Sequence, residues 1–417
     1  MKRNLSVWLL YDAANSFLMA AVTGLYLGQW IVIDNGFDDI WYGGTFTLAT
    51  LLLLLTSPFW GAWSDKLGRR KPFISWMTIV LIVFGFLLSF TVNSQFSVLF
   101  RVMMALAFFL VIQYVYQISL IFYNSLLDKL STSKSRGKIS GLGSAVGSFG
   151  WIVGVALLLP FNEGKITLFG QPGRTQVFLP GVILFALLAW PMLLWFREPR
   201  VKEIKEKISF KDIYNKTIQG LKDLLKKNRN VTLFLLAFFF ISDAIQTGEL
   251  YFAILMDQIF KVSDPVKVQI LGMMFLIAVP AAYVLGRLAD KYGTKRLLVL
   301  VCFDLILIFA LCFVASDPRI LYLFAVFAGI GWGGFYTLFR ALLVKISPRS
   351  QLGEYFGFYS TFERFASIVG PLTWGVITLM LREHGILKYR VAGFGLVFLM
   401  IIGLFLLTKV KEEKVFA

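Results

Sequence analysis

Apolar runs of about 20 residues follow one another down nearly the whole chain, separated by short polar stretches. A run of that length crosses a hydrocarbon core of about 30 Å, and in lipid its backbone groups must be satisfied internally, so each run predicts a helix. Twelve are expected, at roughly 5–33, 41–63, 73–92, 97–127, 140–160, 177–196, 231–256, 266–289, 296–315, 319–346, 353–381 and 389–409. The alternating ten-residue segments of a transmembrane barrel are not seen. The pattern therefore predicts an all-α membrane protein with six spans, a long polar connection, and six more. In that connection Val201, Ile204, Ile208, Leu221, Leu224 and Leu225 recur near helical spacing among lysines, which predicts an amphipathic helix on the membrane surface. The expected organisation is a bundle over 1–196, a cytoplasmic linker over 197–230 and a second bundle over 231–417.

Composition agrees with a lipid solvent. Of 417 residues 58% are hydrophobic and only 16% charged, with a mean hydropathy of +0.75, whereas soluble domains are about 25% charged. The net charge of +17 raises a nucleic-acid partner as an option, but its distribution argues against one. Basic residues gather at Met1–Asn4, in two loops described below, at 128–140 and at 197–230, while 34–42 carries Asp34, Asp38 and Asp39 and no cation. Such alternation is the positive-inside pattern. It predicts a multi-pass protein of the cell (inner) membrane with both termini cytoplasmic, partnered by the bilayer and a small-molecule solute, and a monomer. Cys302 and Cys312 fall inside one apolar run and read as core thiols. His384 is the only histidine and falls in an outer loop, and no phosphate-binding loop, Ser-His pairing or metal-ligand cluster appears. No catalytic residue, metal or cofactor is expected, with H⁺ or Na⁺ as a coupling ion.

The two basic loops repeat each other. Residues 61–71 read GAWSDKLGRRK and 286–296 read GRLADKYGTKR, 225 positions apart. LLYDAANS (9–16) likewise parallels FISDAIQT (240–247), SLLDKLS (125–131) parallels ALLVKIS (341–347), and Gly137, Gly141 and Gly154 match Gly353, Gly357 and Gly370. Four matches in one order indicate a duplication. Within the loops, Gly61 and Gly286 are expected to let helices approach, Asp65 and Asp290 to cap a neighbouring helix N-terminus, and Gly68 and Gly293 to permit a tight turn. Arg69, Arg70, Lys295 and Arg296 are expected at the cytosolic headgroups.

Two parallel six-helix halves joined by a G-x-x-x-D-K-x-G-x-[RK]-[RK] loop in each resemble the major facilitator superfamily. That resemblance implies halves that rock about a central site and makes the repeated loop a latch for one access state. YDAANS, FYNSLLDKLS with RGKISGLGSAVGSFG, SDAIQTG and GEYFGFYSTFERFASIVGPLTWG are similar to its vacuole-effluxer-like branch, named for amino-acid exporters of fungal vacuoles. The branch's tryptophan after the first Asp is Ala13 here. SDKLGRRKPFI is also similar to the sugar-cation symporters of the superfamily.

Polar groups at membrane depth cost roughly 2.5 to 3.5 kcal/mol each when ionised, so each needs a partner or water. Asp12 and Asn15 lie on one face of span 1, Gln113, Tyr116, Gln117 and Asn124 on one face of span 4, and Asp243 and Gln246 on one face of span 7. By resemblance, spans 1, 4, 7 and 10 line the cavity. Glu249, Tyr336, Tyr359 and Glu363 complete the candidate cavity residues. Asp243, deep in its span, is either a solute or proton partner or a static interhelical bond, and Asp12 is expected nearer the inner gate, facing Arg136 or Lys138. Glu363 and Arg364 point about 100° apart and each needs a separate neighbour. Gly143, Gly147, Gly150 and Gly154 form a stripe for close helix packing. A small polar solute follows, with amino acids or similar zwitterions as one class and sugars as the alternative. An intramembrane enzyme or receptor is disfavoured.

Overall fold

A computed structural model describes residues 2–19, 24–130, 136–198, 219, 228–347 and 352–412, and within these the side chains of Lys2, Ala62, Asp65, Lys66, Asp128, Arg136, Lys138, Ser140, Ser144 and Glu354 lie outside the description. The expected amphipathic linker helix therefore falls outside the described residues. Among the described residues there are twelve long helices: α1 (Lys2–Met19), α2 (Asp39–Leu67), α3 (Lys71–Val92), α4 (Val98–Ser125), α5 (Arg136–Asn162), α6 (Phe178–Leu194), α7 (Arg229–Phe260), α8 (Asp264–Tyr292), α9 (Thr294–Val314), α10 (Ile320–Ile346), α11 (Leu352–Met380) and α12 (Ile386–Lys409). A short helix at Leu27–Gln29 and a π turn at Trp30–Asp34 precede α2.

Local chemistry sets the helix ends. The Ser97 hydroxyl accepts from the Phe100 amide to open α4, and the Asn228 side chain accepts from the Val231 amide to open α7. Lys261 ends α7 in the left-handed region at φ 54°. Gly68 and Gly293 have φ of 62° and 92°, so both repeated loops turn through backbone that only glycine adopts cheaply, as their sequence predicts.

Eleven helical segments among the described residues are long and apolar enough to cross a membrane. The exception is α11, which carries Glu354, Glu363 and Arg364. The protein is thus a multi-pass, all-α membrane protein.

The chain divides into two compact units, Met1–Phe37 with Trp41–Tyr214, and Asp38–Ile40 with Asn215–Ala417. In unit 1, α1 packs on α5 and α6, and α3 on α4 and α6; in unit 2, α7 packs on α11 and α12, and α9 on α10 and α12. The same pairings recur at equivalent positions, so the duplication read from four short strings extends to how the helices pack. The glycine stripe of α5 lies against α1: a Cβ on Gly150 would fall 2.8 Å from the Ala13 backbone, and one on Gly147 2.9 Å from Ser16 Oγ. At Gly150 no larger residue fits without moving the α1 backbone.

Gly61 and Gly286 are a correction. Among the described residues a Cβ on Gly61 would meet nothing within 4 Å, and one on Gly286 only Thr337 Cγ2 at an ordinary 3.7 Å. Close helix approach is therefore not what these two positions provide in this structure.

Candidate functional site

The repeated loops lead into a matching clasp in each unit. In unit 1, Glu198 lies just past α6. Its Oε1 and Oε2 accept from the Arg70 amide at 3.0 and 2.8 Å, and Oε2 accepts from the Lys71 amide at 2.7 Å. Lys129 Nζ donates to the same carboxylate, which is only 3% exposed. In unit 2, Glu412 lies just past α12 and accepts from the Thr294 and Lys295 amides, each at 2.9 Å, while Lys345 Nζ donates at 3.0 Å.

Each glutamate thus meets the orphan amides and positive dipole end of the unit's third helix, α3 or α9, and ties that end to a lysine just past α4 or at the end of α10. Lys129 and Lys345 occupy the same place in SLLDKLS and ALLVKIS. Burial pushes the Glu412 carboxyl up, but the Lys295 amide, the Lys345 ammonium and the Thr294 amide together outweigh it and hold the group below the ordinary glutamate value.

The anion at the α9 N-terminus is therefore Glu412 and not Asp290, which is exposed in the last turn of α8. The side chain of Asp65 lies outside the description, and the α3 amides are met by Glu198. Sequence reading missed both glutamates because each follows an apolar run among basic residues and resembles a solvated charge run. The usable signal was the basic-Glu pair, Arg197-Glu198 and Lys411-Glu412, closing the sixth span of each half. Of the other latch candidates, Lys295 also donates from Nζ to Thr408 O at 2.8 Å, and Arg69 and Arg296 flank the clasped helix ends.

The polar candidates of unit 1 gather around Asp12. It is half-buried against Gly147, and its charge acts on Tyr116 and Tyr123 of α4. Tyr123 stacks on Trp8 at 4.7 Å, and Tyr11 bonds the Thr78 hydroxyl at 2.8 Å. Asn15 is buried beside Tyr11. Gln117 reaches from α4 to Thr50 of α2 at 3.2 Å, Gln113 is buried, and Asn124 is exposed. The suggested facing of Asp12 by Arg136 or Lys138 falls on side chains outside the description.

In unit 2 the candidates separate into two groups. Asp243 is fully buried, and its Oδ1 accepts from the Gly370 amide of α11 at 2.7 Å. Gln246 donates to Ser242 Oγ at 2.7 Å and to Glu363 O at 3.3 Å, and accepts from Ser367. These two side chains therefore hold α7 to α11, while the other oxygen of the Asp243 carboxylate is buried with no hydrogen-bond partner among the described residues. Glu249, Tyr336, Tyr359 and Glu363 form the other group. Glu249 is exposed, Tyr336 and Glu363 are half-buried, and Tyr359 is buried with its ring stacked on Phe238 at 4.0 Å. The charges of Arg340 and then Arg364 act on Glu363, and Glu363 in turn acts on Arg364, so the adjacent pair is not independent in the way the sequence suggested. Among the described residues no cluster of His, Cys, Asp and Glu could hold a metal ion.

Comparison with known proteins gives this geometry its context. The family model of the Major Facilitator Superfamily matches residues 13–371 and 250–416. The chain is 25% identical to the Bacillus subtilis protein YxiO, an uncharacterized MFS-type transporter, over 97% of this chain and 94% of that one. It is 26% identical to the Streptococcus pneumoniae multi-drug resistance efflux pump PmrA over 82% of this chain and 81% of that one. The crystal structure of the nucleoside transporter NupG superposes with a TM-score of 0.73 at 15% identity, covering 98% of this chain and 99% of that one. Both halves of the chain fall within the family match, and the fold and the duplicated packing agree with it: the chain belongs to the Major Facilitator Superfamily and is a membrane transporter of that family.

Proposed function

We propose that the protein is a secondary active transporter that moves a small polar organic solute across the cell membrane by rocker-switch alternating access, coupled to H⁺ or Na⁺, with both termini and both repeated loops on the cytoplasmic side. The observation that carries this reading is the recurrence of one clasp in both units. A glutamate, a helix N-terminus and a lysine meet at equivalent places, as Glu198 with Lys71 and Lys129, and as Glu412 with Lys295 and Lys345. Charged bonds at helix ends are discrete and reversible, which suits a device that holds one access state and releases it.

Amino acids and similar zwitterions, implied by the resemblance to the vacuole-effluxer-like branch, and sugars, implied by the resemblance to sugar-cation symporters, are two cargo classes for this one mechanism. The exposed Glu249 favours an ionised solute over a sugar, because an uncharged cargo offers that carboxylate no counter-charge.

The test is transport by the purified chain in proteoliposomes. Amino acids, amines, nucleosides and sugars are first screened for ligands that raise thermal stability, and each stabilising ligand is then followed by counterflow. Saturable counterflow of at least one is expected. Stabilising ligands that show no flux above empty vesicles would sink the reading.

A further inference from the structure

Each clasp glutamate lies beyond the end of its helix, where no intrahelical ladder fixes the chain. α6 ends at Leu194, ahead of Glu198, and α12 ends at Lys409, after which Val410 is extended at ψ 136° and leads to Glu412. Both carboxylates nonetheless meet their amides at 2.7 to 3.0 Å, and such a bond is gone beyond about 3.5 Å. Their reach depends on how the backbone just ahead of them is held.

One asparagine holds it in each unit. Asn4, in the first turn of α1, donates from Nδ2 to Arg197 O at 2.8 Å and accepts on Oδ1 from the Arg197 amide at 3.2 Å. Asn230, in the first turn of α7, donates from Nδ2 to Lys411 O at 2.9 Å and accepts on Oδ1 from the Lys411 amide at 2.7 Å. A carboxamide carries the donor and acceptor of a peptide group, so each side chain pairs with that one residue as a neighbouring strand would. In both units the residue held is the one before the glutamate. The residue before that, Phe196 or Val410, is buried at 1% or 0% exposure, so the chain is fixed on two sides where it delivers Glu198 or Glu412.

This recurrence does not follow from the register of the repeat. Asn4 precedes Asp12 by 8 residues and Asn230 precedes the matching Asp243 by 13, yet the same pair of bonds forms at the same place in each clasp. Arg197 and Lys411 are exposed, where water competes and the bonds contribute little to stability by themselves. What they set is the position of a carboxylate. They also tie the first helix of each unit to the third: Asn4 of α1 through Glu198 to the Arg70 and Lys71 amides that open α3, and Asn230 of α7 through Glu412 to the Thr294 and Lys295 amides that open α9.

We propose that Asn4 and Asn230 are positioning residues of the two clasps: each sets the reach of its glutamate, so that the start of the first helix and the start of the third open and close as one body. The proposal rests on the reading of the clasps as the device that holds one access state, and it adds to that device the helices that carry Asp12 and Asp243.

Hydrogen exchange of the full-length chain in detergent, read at the Arg70–Lys71 and Thr294–Lys295 amides, tests this without any transport measurement. Asn230→Ala is expected to speed exchange at Thr294 and Lys295 about tenfold or more, the scale of one charge-assisted hydrogen bond, and to leave Arg70 and Lys71 at wild-type rates. Asn4→Ala is expected to do the reverse. In the Glu412→Gln background Asn230→Ala is expected to add less than about twofold, because the carboxylate it positions is already gone. Asn230→Asp keeps the shape and the acceptor for the Lys411 amide but loses the donor to Lys411 O, and is expected to loosen the same two amides. In the wild-type chain, a readout that needs no variant, the Lys411 amide is expected to open together with those of Thr294 and Lys295.

Wild-type exchange at the clasp amides in Asn4→Ala and Asn230→Ala overturns the proposal, and so does wild-type protection in Asn230→Asp. Faster exchange at both clasps from either single substitution marks general loosening and overturns it too. An Asn230→Ala effect undiminished in Glu412→Gln, or wild-type Thr294 and Lys295 amides that open while Lys411 stays protected, does the same. Counterflow is decided separately: clasp amides loosened as expected with counterflow unchanged keep the positioning role and remove the access-state reading, and counterflow lost with exchange unchanged keeps the transporter and removes the positioning role.

Discussion

Glu412 is a single side chain on which two helix-end amides and one ammonium converge, and its protonation state decides whether the clasp in unit 2 exists. The sign follows from the direction of its shift. A carboxyl held below the ordinary value of 4.5 stabilises the folded state above that value, and the contribution is lost as pH falls through the lower folded value. The clasp is therefore fully formed throughout pH 5 to 8. Counterflow measured across that range is expected to give the same profile shape for wild type and Glu412→Gln, with only the amplitude lowered in the variant. A profile between pH 5 and 8 that changes shape in Glu412→Gln would show that this carboxyl titrates in the working range. At this scale the sequence was only partly legible. The loop glycines Gly68 and Gly293 could be read because positive φ demands glycine, but the carboxylates that cap α3 and α9 lie more than 100 residues from them in the chain, and nothing local marks such a partner.

Among elements, the contact of α7 with α11 shows what a matched pair of glycines conceals. Pro371 has no amide to donate, and Asp243 takes the amide of Gly370 just before it, so a buried carboxylate holds α11 where its own ladder is interrupted. Gly357 and Gly370 repeat Gly141 and Gly154, and all four read alike in sequence. The structure divides them the same way in both units. Among the described residues a Cβ on Gly141 or Gly357 meets nothing within 4 Å, whereas one on Gly154 would run into the Phe17 ring and one on Gly370 into Thr247 Oγ1. Gly370→Ala is accordingly expected to cost about 1–3 kcal/mol by overpacking. Gly357→Ala should be neutral or stabilising by up to about 1 kcal/mol through helix propensity. Thermal unfolding of the two variants in one detergent checks this, and equal losses would show that packing against α7 is not what distinguishes them. The element pattern itself was legible because lipid allows so few backbone solutions. Even α11, the one long helix among the described residues that is not apolar enough to count as a span by itself, was placed by its apolar run. The tight face was legible in α5, where four glycines form a stripe that lies against α1, but not in α11, where it depends on the side chains that α7 presents.

On the scale of the whole molecule, the duplication places one clasp in each compact unit, with no residue shared between Glu198, Lys71 and Lys129 on one side and Glu412, Lys295 and Lys345 on the other. That separation makes stability and transport respond differently to the same substitutions. Glu198→Gln and Glu412→Gln each remove charge-assisted bonds inside a different core, so their effects on unfolding are expected to add within about 0.5 kcal/mol. Transport by alternating access draws instead on one equilibrium between two access states. If both clasps hold the same state, removing the first already depopulates it, and removing the second finds little left to shift. The double variant should then lose little more counterflow than the more damaged single variant, although its stability loss is the sum of the two. Counterflow losses that multiply as independently as the stabilities add would mean that the clasps act on separate steps, and their recurrence would then reflect the ancestry of the two halves and not a shared switch.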